Sequence, residues 1–352
     1  MIVLGVESSC DETAASVVED GRIVRSSIVA SQYELHEEFG GVVPEIASRA
    51  HEQHIIPVLR DAIKEAGIEL NQIDAIAVGH RPGLIGSLLV GLSAAKALAW
   101  SLDVPMVGVD HVHAHLYAGM LGRKLPEFPA LGVVISGGHT SLYKMDSEMK
   151  LSRLGATIDD AIGEAFDKVA AILGLGHPGG PKVDALAASE GANDRAFDFP
   201  VSRLGKESLD FSYSGLKTSV LYTAKGKPAP RRIKNKPPLP MPEVPELTEE
   251  RKRDIAASFQ RAAVKALTLK IERALETMPD CKTLIVGGGV SANTLVRSEM
   301  DRLAAEHGLE LIIPEMAHCV DNAAMIAGLG TKLLGDGQRD DFTLSAVPTA
   351  AC

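Results

Sequence analysis

Ile2-Val-Leu-Gly-Val-Glu-Ser-Ser-Cys-Asp-Glu-Thr13 and Ala130-Leu-Gly-Val-Val-Ile-Ser-Gly-Gly-His-Thr-Ser-Leu-Tyr143 open in the same manner. Each runs a buried-type apolar strand into a turn of small residues and then into a second strand, Ala14 to Val18 in one case and Thr140 to Tyr143 in the other. A hairpin tip built this way presents little side chain. Its recurrence about 130 residues further on predicts two similar lobes facing a cleft. A third tip lies at Leu284-Ile-Val-Gly-Gly-Gly-Val-Ser-Ala-Asn293, where an apolar strand enters three glycines and a helix is expected from near Ser291. Between these tips, helical periodicity marks Pro57 to Ala66, Leu84 to Leu102, Thr157 to Leu173, Lys182 to Ala188, Glu249 to Met278, Asn293 to Glu306 and Asn322 to Leu334. Strands are expected at Ala75 to Gly79, Val107 to Val109 and Leu309 to Ile313. The pattern is α/β with mixed sheets.

Turns such as Ser136-Gly-Gly-His-Thr140 and Gly287-Gly-Gly289 let backbone N–H groups approach an anion, because no Cβ blocks access. One Gly-Gly turn is ordinary hairpin chemistry. Three, two in matched contexts and one opening a helix, point to a nucleotide cleft. Neither G-x-x-x-x-G-K-[ST] nor a G-x-G-x-x-G after a strand is present. Asp167, in an amphipathic helix, and Asp184, after the turn His177-Pro-Gly-Gly-Pro-Lys-Val-Asp184, are candidates for ribose hydroxyls, or else surface carboxylates or caps. Gly180 allows backbone contact.

His111-Val-His-Ala-His115 follows the apolar run Val104 to Val109. Gly108 and Asp110 read as a strand end and a helix N-cap. In a helix, His111 and His115 share a face and reach one cation, with His113 pointing away. An extended segment would instead align all three rings. Asp321, in His318-Cys-Val-Asp321-Asn322, is either a helix N-cap or an oxygen ligand, and spacing does not show whether it meets His115.

The 352 residues, 45% hydrophobic, suffice for two lobes. Met1 to Val6 lacks a preceding basic region and is followed at once by Glu7, Asp11 and Glu12, so no secretory signal is expected. Leu84 to Leu102 carries Gly86, Ser87, Gly91, Ser93 and Lys96, which suits a core helix better than a membrane span. A cytoplasmic protein without membrane contact is expected. Cys10, Cys281, Cys319 and Cys352 show no C-x-x-C spacing, which argues against disulfides or a cysteine zinc knuckle. The net charge of −10 disfavours nonspecific nucleic-acid binding. Locally the balance reverses: Phe211 to Pro242 has no acid but carries Lys217, Lys225, Lys227, Arg231, Arg232, Lys234 and Lys236. Seven prolines from Pro228 to Pro245 make its second half an extended segment, either a solvated linker or a basic arm over a polyanionic substrate.

Taken together, Val6-Glu-Ser-Ser-Cys-Asp-Glu-Thr13, Gly41-Val-Val-Pro-Glu-Ile-Ala-Ser-Arg-Ala-His51, Gly83-Leu-Ile-Gly-Ser-Leu-Leu-Val-Gly91, His111-x-x-x-His115, Ser136-Gly-Gly-His-Thr140, Asp159-Asp-Ala-x-Gly-Glu-Ala-Phe-Asp-Lys168, Phe211-Ser-Tyr-Ser-Gly-Leu-Lys-Thr218 and Gly287-Gly-Gly-Val-Ser-Ala-Asn293 resemble the bacterial TsaD family, formerly called O-sialoglycoprotein endopeptidase or Gcp. The resemblance covers almost the whole chain. It implies the two-lobed actin, Hsp70 and sugar-kinase fold, with duplicated mixed-sheet lobes around the cleft. The lobes would be 1–118 with 322–345, and 119–321, with a proline-rich basic insertion at 224–248. The implied reaction moves a threonylcarbamoyl group from threonylcarbamoyl-adenylate to N6 of adenosine 37 in tRNAs reading ANN codons, releasing AMP. His111, His115 and Asp321 would hold one divalent metal, iron first and zinc second. Val134, Ile135, Ser136, Gly137 and Gly138 would line the adenylate site with Asp167, Gly180, Asp184 and Asn293. The implied partners are tRNA, a TsaB-like paralogue and a TsaE-like P-loop ATPase. His113 and the basic insertion depart from the family's pattern.

The donor is a mixed carbamic–phosphoric anhydride with a good leaving group, whereas the adenine amine is a poor nucleophile. Orientation and charge stabilisation must therefore do the catalysis. Asp11, beside the first turn, is a candidate to receive the amine proton, with a salt-bridging or capping role the alternative. A metallopeptidase is disfavoured because H-E-x-x-H is missing: Val112 follows His111, and His51-Glu-Gln-His54 is one residue too short. A kinase of the same fold would need a magnesium site, for which imidazoles are poor ligands. An ATP-gated binding protein would bind nucleotide without group transfer.

Overall fold

The computed structural model describes residues 1–227 and 246–348. Most of the stretch read as a basic insertion, including Arg231, Arg232, Lys234 and Lys236, lies outside them. The first hairpin forms as expected: β1 (Ile2–Glu7) and β2 (Glu12–Glu19), followed by β3 (Ile23–Ser31). A short α1 (Tyr33–His36) leads to α2 (Pro44–Glu65), β4 (Ala75–Arg81), α3 (Ile85–Leu102), β5 (Met106–Asp110) and α4 (His111–Ala118). The second half repeats the opening with β6 (Ala130–Ile135), β7 (Thr140–Met145) and β8 (Leu151–Ala156). It continues through α5 (Ile162–Leu173), α6 (Gly179–Ala187), α7 (Ser214–Lys225) and α8 (Glu249–Glu276) to β9 (Thr283–Gly287), α9 (Thr294–His307), β10 (Glu310–Ile312) and α10 (Ala323–Gly335).

The sheets run β3-β2-β1-β4-β5 and β10-β9-β6-β7-β8. Reversed, the second order is third, second, first, fourth and fifth strand of its own half, identical to the first. Hairpin neighbours are antiparallel, and β1–β4, β4–β5, β6–β9 and β9–β10 are parallel. The duplication expected from the two matched stretches is thus realised in strand order and direction.

Strand alternation decides what each sheet buries. Leu4 and Val6 of β1 pack with Val58 and Leu59 of α2 and with Leu92, Ala95 and Ala99 of α3. Val3 faces the other way, into a cluster of α4 and α10 residues that also takes in Ala130, Val134 and Ile285 of the second sheet. Helices α4 and α10 are therefore sandwiched between the sheets. The far face of the second sheet is covered by α5 to α9 around Phe166 and Phe259. Among the described residues α3 alone is long and apolar enough to cross a membrane, and it packs on α2 and β4.

Several boundaries differ from the sequence reading. Helix α2 begins at Pro44, not Pro57; Pro44 occupies the first turn, where a missing N–H costs nothing, and Pro57 is carried inside the helix. Helix α5 begins at Ile162 rather than Thr157, because the Thr157 hydroxyl bonds the Asp160 carbonyl in a turn. Helix α6 starts at Gly179, ahead of Lys182. Gly289–Ala292 is a single 3-10 turn, and α9 starts at Thr294 with Asn293 as its cap. β3, β8 and α7 carry no strong periodic signal. The two strands are sheet edges with interrupted burial, and α7 opens with Ser214 and Gly215 and contains Thr218 and Ser219, all weak helix formers.

Candidate active site

The histidine segment is helical. The Asp110 carboxylate accepts the backbone N–H groups of Val112 and His113, so α4 starts at His111 with its cap satisfied. His111 and His115 then lie on one face, ring centroids 4.6 Å apart, while His113 turns to the edge of the Tyr143 ring. The third group arrives with α10. Gly5 of β1 has no side chain because α10 sits directly on it, and an added Cβ would overlap the Ala323 carbonyl. Asn322, not Asp321, caps α10, its side chain accepting the Met325 N–H at 3.0 Å. The Asp321 carboxylate is thereby free of capping. Its Oδ1 lies 3.2 Å from His115 Nε2 and 3.5 Å from His111 Nε2. One ligand atom from each of the three residues lies within 4.8 Å of the others.

Burial opposes the charged form of His111, but Asp321 and Glu7 outweigh it and hold its pKa up at about 9. Burial likewise opposes ionisation of Asp321, and the imidazoles of His111, His115 and His139 override it, keeping the carboxyl well below its ordinary range. Burial, reinforced by His111 and His115, pushes His139 down to about 4. The cluster thus pairs an ionised carboxylate with an imidazole, that of His111, which its acidic neighbours hold ready for positive charge, whether from a proton or from a metal ion. His115 is fully buried, and neither ring nitrogen finds a hydrogen bond of good geometry among the described residues. Such an orphan is costly unless something else satisfies it. Two imidazole nitrogens and one carboxylate oxygen fit a transition-type divalent cation.

The glycine turns close in on this cluster. Gly287 abuts the His115 carbonyl and Gly288, at φ +97°, abuts the Ile135 carbonyl; a Cβ at either would overlap it. Ser136 to His139 form a tight turn: Ser136 N–H donates to the His139 carbonyl at 2.8 Å and His139 N–H to Ser136 Oγ at 3.2 Å. Gly137 and Gly138 face open space. Val134 and Ile135 contribute no side chain here, since both are fully buried in core clusters; any contact with a ligand runs through their backbone. Gly180 is open as well, but Asp167 Oδ1 already accepts the N–H groups of Gly179 and Gly180. Asp184 is engaged on both oxygens, by Thr294 and Gln260, and Asn293 caps α9 while donating to Gln260 Oε1. Asp11 is 8% exposed at the end of the first hairpin tip.

Four residues outside the expected set belong to this neighbourhood. Glu7, fully buried, accepts from His111 Nδ1 at 3.1 Å. His139 shares the field of the histidine pair. Burial, then the neighbouring Asp11, raises Glu12 well above its usual range, with nearby Tyr33 opposing the shift. Only Glu7 left a signal: period two from Val3 and Gly5 puts it on the face that α4 and α10 cover.

The TsaD family model, described as tRNA N6-adenosine threonylcarbamoyltransferase, matches residues 23–328. Relatives with that description include one from Symbiobacterium thermophilum, 48% identical over 99% of this chain and 96% of its own length. Another, from Syntrophobacter fumaroxidans, is 50% identical over 99% and 97%. Among solved structures, the activator of the 2-hydroxyisocaproyl-CoA dehydratase from Clostridium difficile, with bound ADPNP, superposes with a TM-score of 0.51 at 14% identity. It covers 96% of this chain and 97% of that one. That likeness concerns the fold, and it agrees with the two-lobed architecture expected above.

Proposed function

The chain belongs to the TsaD family of tRNA N6-adenosine threonylcarbamoyltransferases, and from that premise we propose that its donor is threonylcarbamoyl-adenylate, its acceptor adenosine 37 of tRNAs reading ANN codons, and its centre the His111, His115 and Asp321 cluster. The observation that carries this reading is the meeting of that cluster with the Ser136–His139 and Gly287–Gly289 turns. A divalent cation held by these three residues, iron first and zinc second, would supply Lewis acidity toward a carbonyl or phosphate oxygen.

The protein's own groups do the rest. Backbone N–H groups of Gly137 and Gly138, which the internal bonds of the turn leave unused, bind the adenylate phosphate and stabilise the charge it gains. Val134 and Ile135 contribute only main chain, Gly180 leaves room for the nucleoside, and Asp167, Asp184 and Asn293 hold its walls in place. The N6 lone pair adds to the carbamoyl carbon. As the N–C bond forms, the carbamoyl carbon–oxygen bond to phosphate breaks, its electron pair leaves on AMP, and Asp11 receives the N6 proton. Residues 1–118 with 322–345 form one lobe and 119–321 the other, with substrates between them. A TsaB-like paralogue and a TsaE-like ATPase complete the cytoplasmic machinery. Ile85, Leu89 and Trp100, spaced to share one side of α3 and 47%, 48% and 76% exposed, offer such a paralogue apolar contacts, with Ser93 and Lys96 on the same side between Leu89 and Trp100.

The test is reconstitution with the partner proteins, threonylcarbamoyl-adenylate and unmodified tRNA, followed by nucleoside mass analysis. The expected product is threonylcarbamoylated adenosine at position 37 with AMP released. Adenylate consumed without modified nucleoside, or modification elsewhere in the tRNA, would overturn the reading.

A further inference from the structure

Glu7 ends β1 on the face covered by α4 and α10, and no part of it reaches solvent. A carboxyl group is rarely so placed without a partner. Two donors converge on it: the Ser9 N–H on Oε1, and His111 Nδ1, 3.1 Å from Oε2. The opposite nitrogen of that ring, Nε2, points at Asp321 Oδ1, 3.5 Å away. The neighbouring strand leaves the room. Gly79 of β4 follows Val78, which pairs with Val6, and an added Cβ there would lie 2.5 Å from Glu7 Oε2.

We propose that Glu7 is a positioning residue for His111: its carboxylate accepts the Nδ1–H, which fixes the ring with Nε2 unprotonated and directed to the cation site, and Gly79 is small so that this carboxylate can lie there. The inference rests on the metal reading above and concerns a residue that does not touch substrate. Ser9 Oγ, 3.2 Å from the same Nδ1, is the competing partner. Its hydroxyl can donate to a bare Nδ1, which would leave the proton on Nε2 and turn the ring's acceptor away from the site. Glu7, offering only lone pairs when ionised, selects between the two tautomers. Such a partner on a ligating imidazole changes metal affinity on the order of 10–100-fold.

The test uses the full-length protein and zinc as probe. Zinc affinity is measured by competition with a chelating dye for wild type, Glu7→Gln, Gly79→Ala and Ser9→Ala, with thermal unfolding of each metal-free protein recorded in parallel. Glu7→Gln and Gly79→Ala are expected to weaken zinc binding roughly 10–100-fold, while Ser9→Ala keeps near-wild-type affinity. Glu7→Gln that folds and binds zinc as tightly as wild type would sink the role of Glu7 and leave the metal reading standing. Wild-type protein that binds no zinc or iron would sink both. Should Glu7→Gln not fold, nitrogen NMR of the histidines in zinc-loaded wild type decides. Zinc on His111 Nε2 with the proton on Nδ1 is expected, and zinc on Nδ1 would overturn the proposal.

Discussion

His115 is the residue on which the metal reading depends most directly, because it is fully buried and its ring nitrogens lack other partners among the described residues. His115→Ala is expected to abolish tight zinc or iron binding, and metal analysis of the purified variant checks this. Retention of stoichiometric metal would show that the ligands lie elsewhere. A different histidine, away from this cluster, contributes to acid stability. His51 Nε2 donates to the Cys10 carbonyl at 3.0 Å, so its Nδ1 accepts from the Thr13 hydroxyl at 2.8 Å. Burial lowers its pKa in the fold. The unfolded chain regains a value near 6.5. Between those two values the unfolded state binds more protons, so the contribution is complete above about 6.5 and is lost as pH falls toward the folded value. His51→Gln should therefore show a smaller fall in Tm between neutral and mildly acid pH than wild type. Parallel curves would refute it. At this scale the histidine spacing was legible, since i and i+4 share a helix face whatever surrounds them. Asp321 was not, because the same sequence suits a cap or a ligand, and only the capping of α10 by Asn322 releases its carboxylate.

Two elements bring the site together. Helix α4 needs its cap, and Asp110→Ala should cost about 1 kcal/mol in thermal or denaturant unfolding. Helix α10 needs Gly5. Gly5→Ala places a methyl against the Ala323 carbonyl, and overpacking of this kind costs about 1–3 kcal/mol. Because α10 begins two residues after Asp321, the same variant should also weaken zinc binding. Lost stability with unchanged affinity would show that Asp321 is held independently of the helix. The long apolar elements were readable because period two and period 3.6 survive burial on any surface. Edge strands β3 and β8 were not, since a strand buried on one side only in part carries little pattern.

The molecule as a whole is acidic, and its acceptor is a polyanion, so local positive charge has to compensate. Neutralising Arg231, Arg232, Lys234 and Lys236 together should flatten the dependence of log affinity for tRNA on log salt, by about 0.7 for each single-strand phosphate that the chain no longer neutralises. An unchanged slope would make the stretch a linker. Placement of α4 and α10 between two sheets of the same strand order also explains why the site is central: each half of the duplication faces the other across those helices.

Local pattern within the chain determined the matched hairpins, the glycine turns and the histidine pair, because each depends on neighbours only a few residues away. Tertiary packing decided that Asp321 meets the histidines, that Glu7 stands behind His111, and that Asp184 and Asn293 are tied to Gln260. Those contacts join residues tens to hundreds of positions apart, and their geometry is set by how helices seat on sheets, which no spacing along the chain encodes.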